Sequence, residues 1–216
     1  MIYFYFFRDY SLSLLCKIFM FINWVTQNYI EILGAIIALI YLYFSVNKLI
    51  WLWPFGILSS LIYTWVFFHS RLYADMSLQV YYFIVSIYGW YYWWKAGVKN
   101  DKSELPIARL SKGLFIILIL LVFALTIVSG YFLKNYADSS LPYLDAFTTS
   151  ASIVATWMLA RKMLENWLFW IVIDMVSMFM YIYKELYATA ALFLVYTVIA
   201  YFGYLKWKKD WALEKT

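Results

Sequence analysis

Asp174 is the residue of this chain best placed to do chemistry, because it is a carboxylate inside the otherwise uncharged run from Asn166 to Tyr183. At helical spacing Asn166, Trp170 and Asp174 fall at i, i+4 and i+8, with Trp167 and Ser177 beside them on the same face. That face presents an amide, two indoles, a carboxylate and a hydroxyl. A polar group at mid-span must be paired or must face a cavity, which makes each a functional candidate. The alternative is that Asp174 bonds a Ser or Tyr of a neighbouring helix as structural glue.

Other apolar runs add polar groups to the same candidate set. One carries Trp53, Pro54, Gly56, Ser60 and Tyr63; the next carries Gln79, Tyr82 and Ser86. Tyr196 and Thr197 lie in the last run, while Thr148, Thr149, Ser150, Ser152 and Thr156 make another polar enough to line water. The substrate-binding candidates are thus Trp53, Ser60, Gln79, Tyr82, Thr149, Asn166, Trp167, Trp170, Asp174, Ser177 and Tyr196. Trp24, Trp90, Trp93, Trp94 and Trp207 lie near span ends, where membrane-interface belts account for them. His69 has no partners for a triad or a metal set, Cys16 stands alone, and no glycine loop would cradle phosphates. Neither an enzyme nor a cofactor is indicated.

The elements that must position these groups follow from composition. The 216 residues are 66% hydrophobic and only 13% charged, with a mean hydropathy of +0.75. A soluble domain carries about 25% charge, so lipid is the solvent for most of this chain. Seven Gly, three Pro and one Cys exclude collagen-like and disulfide-stapled folds. Charges bound the runs 32–46, 49–70, 76–94, 113–133, 146–160, 166–183 and 186–205. Spanning a bilayer takes roughly 20 helical residues, so the reading is an all-α integral membrane protein with seven transmembrane helices. The period-two alternation of a membrane barrel is missing from these runs.

Residues 3–25 place Arg8, Asp9 and Lys17 among apolar residues, as in an amphipathic helix lying in the membrane interface. No cleavage site follows it, so it reads as mature chain rather than a signal peptide. With seven spans, one side collects twelve of the 17 Lys and Arg, which puts the C-terminus in the cytoplasm and starts the first span outside. The net charge of +5 suits anionic lipid headgroups rather than nucleic acid, since the basic residues sit between apolar runs.

An internal repeat organises the spans. A shift of 114 residues lays Lys48 on Lys162, Trp53 on Trp167, Phe55 on Phe169, Tyr82 on Tyr196, Gly89 on Gly203, Trp93 on Trp207 and Lys95 on Lys209. Three helices and a single linker helix make an even number of crossings, so the two triples are parallel repeats in a 3+1+3 arrangement. The chain divides into an N-terminal segment 1–27, repeats 28–97 and 139–209, the loop and linker helix 98–138 between them, and a tail 210–216. A substrate path between the halves is the natural reading, and a duplicated scaffold without a path is the alternative.

The stretch Glu165-Asn166-Trp167-Leu168-Phe169-Trp170-Ile171-Val172-Ile173-Asp174 resembles the W-x-x-W-x-x-x-D signature of the PnuC-type vitamin transporters. Trp53-Pro54-Phe55-Gly56-Ile57 and Tyr88-Gly89-Trp90 resemble that family's first-half motifs, and the similarity runs from about Trp24 to the Lys-rich tail. The resemblance implies a fold like that of the SWEET sugar transporters, a homotrimer in the bacterial inner membrane, and facilitated uptake of nicotinamide riboside for NAD synthesis. That substrate is a flat pyridinium cation on a sugar. An indole face within about 6 Å of a desolvated cation contributes on the order of 1–2 kcal/mol, and Asp174 would offset the charge. Gln79, Asn166 and the hydroxyls would satisfy the carboxamide and ribose. Thiamine, riboflavin, a proton-coupled variant with Asp174 as carrier, and a non-transporting scaffold or enzyme subunit stay open.

Overall fold

Among the described residues, the charge-bounded apolar runs become seven helices. They are α1 (Tyr29–Val46), α2 (Leu52–His69), α3 (Tyr73–Lys99), α4 (Lys112–Tyr136), α5 (Pro142–Ala160), α6 (Asn166–Tyr183) and α7 (Tyr187–Leu213). The structure, a computed structural model, describes residues 19–20, 22–23, 26, 29–69, 73–99, 105–137 and 139–214. The segment expected to lie in the membrane interface, with Arg8, Asp9, Cys16 and Lys17, therefore falls almost wholly outside the described residues.

Helix ends follow local chemistry. Ser111 caps α4 by accepting the Leu114 N–H at 3.3 Å, and Pro142 opens α5, where a missing N–H costs nothing. Three helices stop in the same way. Lys48, Lys162 and Glu185 adopt φ of 59°, 52° and 59°, the left-handed position that closes a helix. After α1, Leu49 N–H bonds Phe44 O at 3.0 Å and Lys48 N–H bonds Ser45 O at 3.1 Å; after α5, Met163 to Met158 and Lys162 to Leu159 repeat the pattern. Glycine usually fills that position, and here two lysines related by the 114-residue shift fill it.

Helices α1, α2 and α3 pack consecutively, as do α5, α6 and α7. Across the two sets α3 meets α5 and α7 meets α1, contacts that interchange under the repeat, while α4 lies against α5. Among the described residues, four helices are long and apolar enough by themselves to cross a membrane, namely α2, α4, α6 and the 189–213 part of α7. Asp75 and Gln79 lower the apolarity of α3, and α5 carries five Ser and Thr between residues 148 and 156, of which Ser150, Ser152 and Thr156 are buried. Polar residues of α5 thus point inward, and α4 turns Ile117, Leu120, Phe123 and Val128 outward. Both patterns invert the soluble rule, as a lipid surround requires.

Candidate functional site

Asp174 is buried in the middle of α6. Tyr82 of α3 and Tyr196 of α7 both lie near enough to interact electrostatically with its carboxylate. Those tyrosines are repeat mates, so the pseudo-symmetry delivers one phenol from each half to a single acid. Asp174's own mate is Ser60, which is buried on α2 and donates to Ile57 O at 2.9 Å. One half therefore supplies a carboxylate where the other supplies a neutral hydroxyl.

Further groups adjoin the two phenols. Ser152 of α5 hydrogen-bonds Tyr82, Tyr41 of α1 approaches Tyr82, and Tyr63 of α2 approaches Tyr196. Tyr81 braces α3 against α5 by donating to Ile153 O at 2.7 Å. These residues come from six helices, all but α4. The residues near this acid are phenols and hydroxyls, contributed by both repeats.

The candidate residues separate by depth. Tyr82, Asp174 and Tyr196 come together; Ser177 and Ser60 are buried on the same helices as the acid and its mate. Gln79 sits three residues before Tyr82 and Thr149 three before Ser152, both half-buried. Trp170 is half-buried one turn from Asp174 and packs against both apolar clusters. Asn166, Trp167 and Trp53 stand elsewhere. Helix α6 starts at Asn166, eight residues and about 12 Å before Asp174, and all three side chains are fully buried at the turn end of the bundle. Asn166 Nδ2 donates to Met163 O at 2.6 Å, holding the turn. Together they form a floor at this end of the bundle.

That floor is built twice. Trp53 lies on Gly89 and meets Trp93 edge-on, with ring centroids 5.4 Å apart at 89°. Trp167 lies on Gly203 and meets Trp207 at 5.6 Å and 85°. Trp93 and Trp207 are not interface-belt residues, as their places at span ends suggested: both are buried, whereas Trp90 and Trp94 are exposed. Helices α3 and α7 run 27 residues each, long enough to carry these indoles back into the protein beneath the turns. The repeat register, which pairs Trp93 with Trp207, was the available signal. Nothing in the sequence singled out Tyr41, because Tyr is one of 22.

The segment between α3 and α4 crosses the same end. Ala108 pairs with the α5–α6 turn through Ala108 N–H to Lys162 O and Leu164 N–H to Ala108 O, both 3.0 Å. Glu165 accepts Arg109 Nε at 2.6 Å and Leu110 N–H at 2.9 Å, while Glu214 accepts Ile107 N–H at 2.9 Å. At the opposite end Asp145 takes Ser139 Oγ and lies 3.4 Å from Lys184 Nζ. A shallow groove lined by Leu110, Lys112, Phe115, Ile116 and Glu165 lies beside the crossing segment, away from Asp174.

Known proteins share this architecture and sequence. The nicotinamide riboside transporter PnuC of Escherichia coli (strain K12) is 29% identical over 203 residues, covering 83% of this chain and 85% of the relative. The riboflavin/roseoflavin transporter RibM of Streptomyces davaonensis is 24% identical over 178 residues, covering 82% and 83%. The crystal structure of the vitamin B3 transporter PnuC superposes with a TM-score of 0.67 at 22% identity, over 87% of this chain and 83% of that one, which shows the shared fold. Residues 28–209 match the family model described as nicotinamide mononucleotide transporter, and the chain belongs to that family of membrane transporters.

Proposed function

We propose that this protein carries nicotinamide riboside into the cell by facilitated diffusion, exposing the Asp174 centre alternately to the two sides of the membrane. The observation that carries the reading is the buried carboxylate of Asp174, with Tyr82 and Tyr196, one from each repeat, in electrostatic reach of it. A pyridinium against Trp170 would gain from the indole face and from the carboxylate, both strengthened where water is excluded. The names of the relatives support the substrate class, and riboflavin, the substrate in RibM's name, is the second reading.

The moving bodies are α1–α3 and α5–α7, joined by α4 in a 3+1+3 arrangement in which all seven helices cross the membrane. Their consecutive packing within each set supports this division. A phosphorylated nucleotide fits poorly, since the groups acting on Asp174 are neutral phenols and a phosphate would meet the carboxylate unscreened. The basic residues at one end favour a cytoplasmic C-terminus in a bacterial inner membrane. The apolar outward face of α4 suits lipid or a second copy in a homotrimer. Uptake of labelled nicotinamide riboside into proteoliposomes tests the reading. Saturable uptake that survives dissipation of the pH gradient supports it, collapse with the gradient favours proton coupling, and no uptake rejects transport of this vitamin.

A further inference from the structure

Two repeat-related seams join the halves at the end bearing the α1–α2 and α5–α6 turns. In the first, Trp207 Nε1 of α7 donates to Ser45 O at 3.3 Å and Val46 O at 3.2 Å. Lys48 pairs with Asp210 at 2.9 Å, and Lys206 donates to Asn47. In the second, Trp93 Nε1 of α3 donates to Ala160 O at 3.0 Å. Arg161 donates to Tyr88 Oη at 3.0 Å and Lys162 Nζ lies 4.8 Å over the Trp93 ring. Val46 and Ala160 are repeat mates, so each half grips the other with the same bond. Lys48 and Lys162 hold left-handed backbone positions that glycine would occupy more cheaply, and both side chains reach across a seam.

The same end also carries an opposing cost. Trp53 Nε1 and Trp167 Nε1 are buried with no acceptor among the described residues. A buried donor without a partner disfavours the state that buries it. We propose that Trp93 and Trp207 are paired latches of a gate at this end, and that Trp53 and Trp167 are its counterweights, destabilising closure so that the gate is poised to open. The proposal rests on the transport reading for its purpose, since only a path that opens needs a gate.

Labelling of a buried cysteine tests it without any substrate. Ser45 is buried beneath the first seam, so Ser45→Cys in a Cys16→Ser background reports opening when a charged thiol reagent is applied to protein in nanodiscs. Labelling of a buried site tracks the population of the open form. Trp93→Phe, which acts on the seam remote from Ser45, and Trp207→Phe are each expected to raise the rate about fivefold, the size set by one net hydrogen bond. Trp53→Phe and Trp167→Phe remove a donor that has no bond to lose and are expected to lower it severalfold. Asp210→Asn, a partly exposed change that removes the charge paired with Lys48, is expected to raise it. An unchanged rate in the Trp93→Phe/Trp207→Phe pair overturns the proposal. So does a rise in all four Trp→Phe variants, which signals general loosening. Failure of the vitamin reading would instead appear as absent uptake with these labelling changes intact.

Discussion

The ring of Tyr41 on α1 lies 3.1 Å from where a Cβ on Gly56 of α2 would stand, so the glycine makes room for the tyrosine. The repeat mates of this pair are Ala155 and Trp170, with large and small exchanged. Ala155 is fully buried and Trp170 packs against its cluster. The two halves thus fill equivalent space from opposite helices, and only the second half places an indole one turn from the acid.

Trp170→Gly is expected to destabilise the protein by about 3–5 kcal/mol, the usual cost of emptying a packed indole site. Ala155→Tyr added to it rebuilds the first-half arrangement and is expected to recover part of that loss. Alone, Ala155→Tyr overpacks and costs about 1–3 kcal/mol. Thermal unfolding of the four proteins in detergent checks the cycle, and strict additivity would deny that the two positions share one space.

Gly89 and Gly203 are seats for indoles within unbroken helices. A Cβ at Gly203 would stand 2.8 Å from three atoms of the Trp167 ring, and one at Gly89 would stand 2.7 Å from Cε2 of Trp53 and closer still to two other ring atoms. Each Gly→Ala change is expected to cost about 1–3 kcal/mol, the larger loss at Gly89. Gly113→Ala meets nothing within 4 Å and serves as the control, expected to be neutral or slightly stabilising.

The segment through Arg109 is held down in part by one carboxylate. Glu165→Ala removes the acceptor of Arg109 Nε and of Leu110 N–H together. Charge-assisted bonds contribute about 1.5–3 kcal/mol, so trypsin cleavage after Arg109 is expected to speed up about tenfold or more. Mass spectrometry of timed digests reads the site and the rate; an unchanged rate would mean that Glu214 and the Ala108 pairing suffice.

How much of this was legible beforehand differs from residue to residue. The seven helices follow from charges such as Lys48, Lys95 and Lys184 that cannot lie in hydrocarbon, so the runs between them read directly. The face of Asn166, Trp167, Trp170, Asp174 and Ser177 was also readable, because helical spacing fixes which side chains share a side. Depth along that face was not. Asn166 and Trp167 share Asp174's side but sit at the start of α6, where they hold the turn and the floor. Trp93 and Trp207 looked like interface residues because position near a span end says nothing of the face that carries them. Ser152 joins the centre through a contact between halves, and Tyr41 through one between helices of its own half, neither of which local periodicity can register. The Ala108 pairing with the α5–α6 turn is likewise invisible to any pattern, since it joins segments 55 residues apart in the chain.

Tyr82→Phe and Tyr196→Phe separate the two phenols beside Asp174. Each removes a hydroxyl and leaves the ring, so each is expected to weaken ligand binding by about three- to tenfold, the span of one net hydrogen bond. Tyr81→Phe loses only the strut to Ile153 O and is expected to lower the melting temperature while affinity stays within about twofold of the parent. Calorimetric titration beside a melting curve distinguishes the two kinds of loss.

The central claim is that Asp174 and Trp170 together receive a flat cation. Intrinsic tryptophan fluorescence of the purified protein, titrated with nicotinamide riboside, thiamine and riboflavin, tests it most directly beside Asp174→Asn and Trp170→Ala. Saturable quenching by nicotinamide riboside that disappears in both variants is the predicted result. Quenching by thiamine alone would keep the cation site and change the vitamin. Saturable quenching that Asp174→Asn leaves undiminished, or no saturable response to any of the three, would contradict the account.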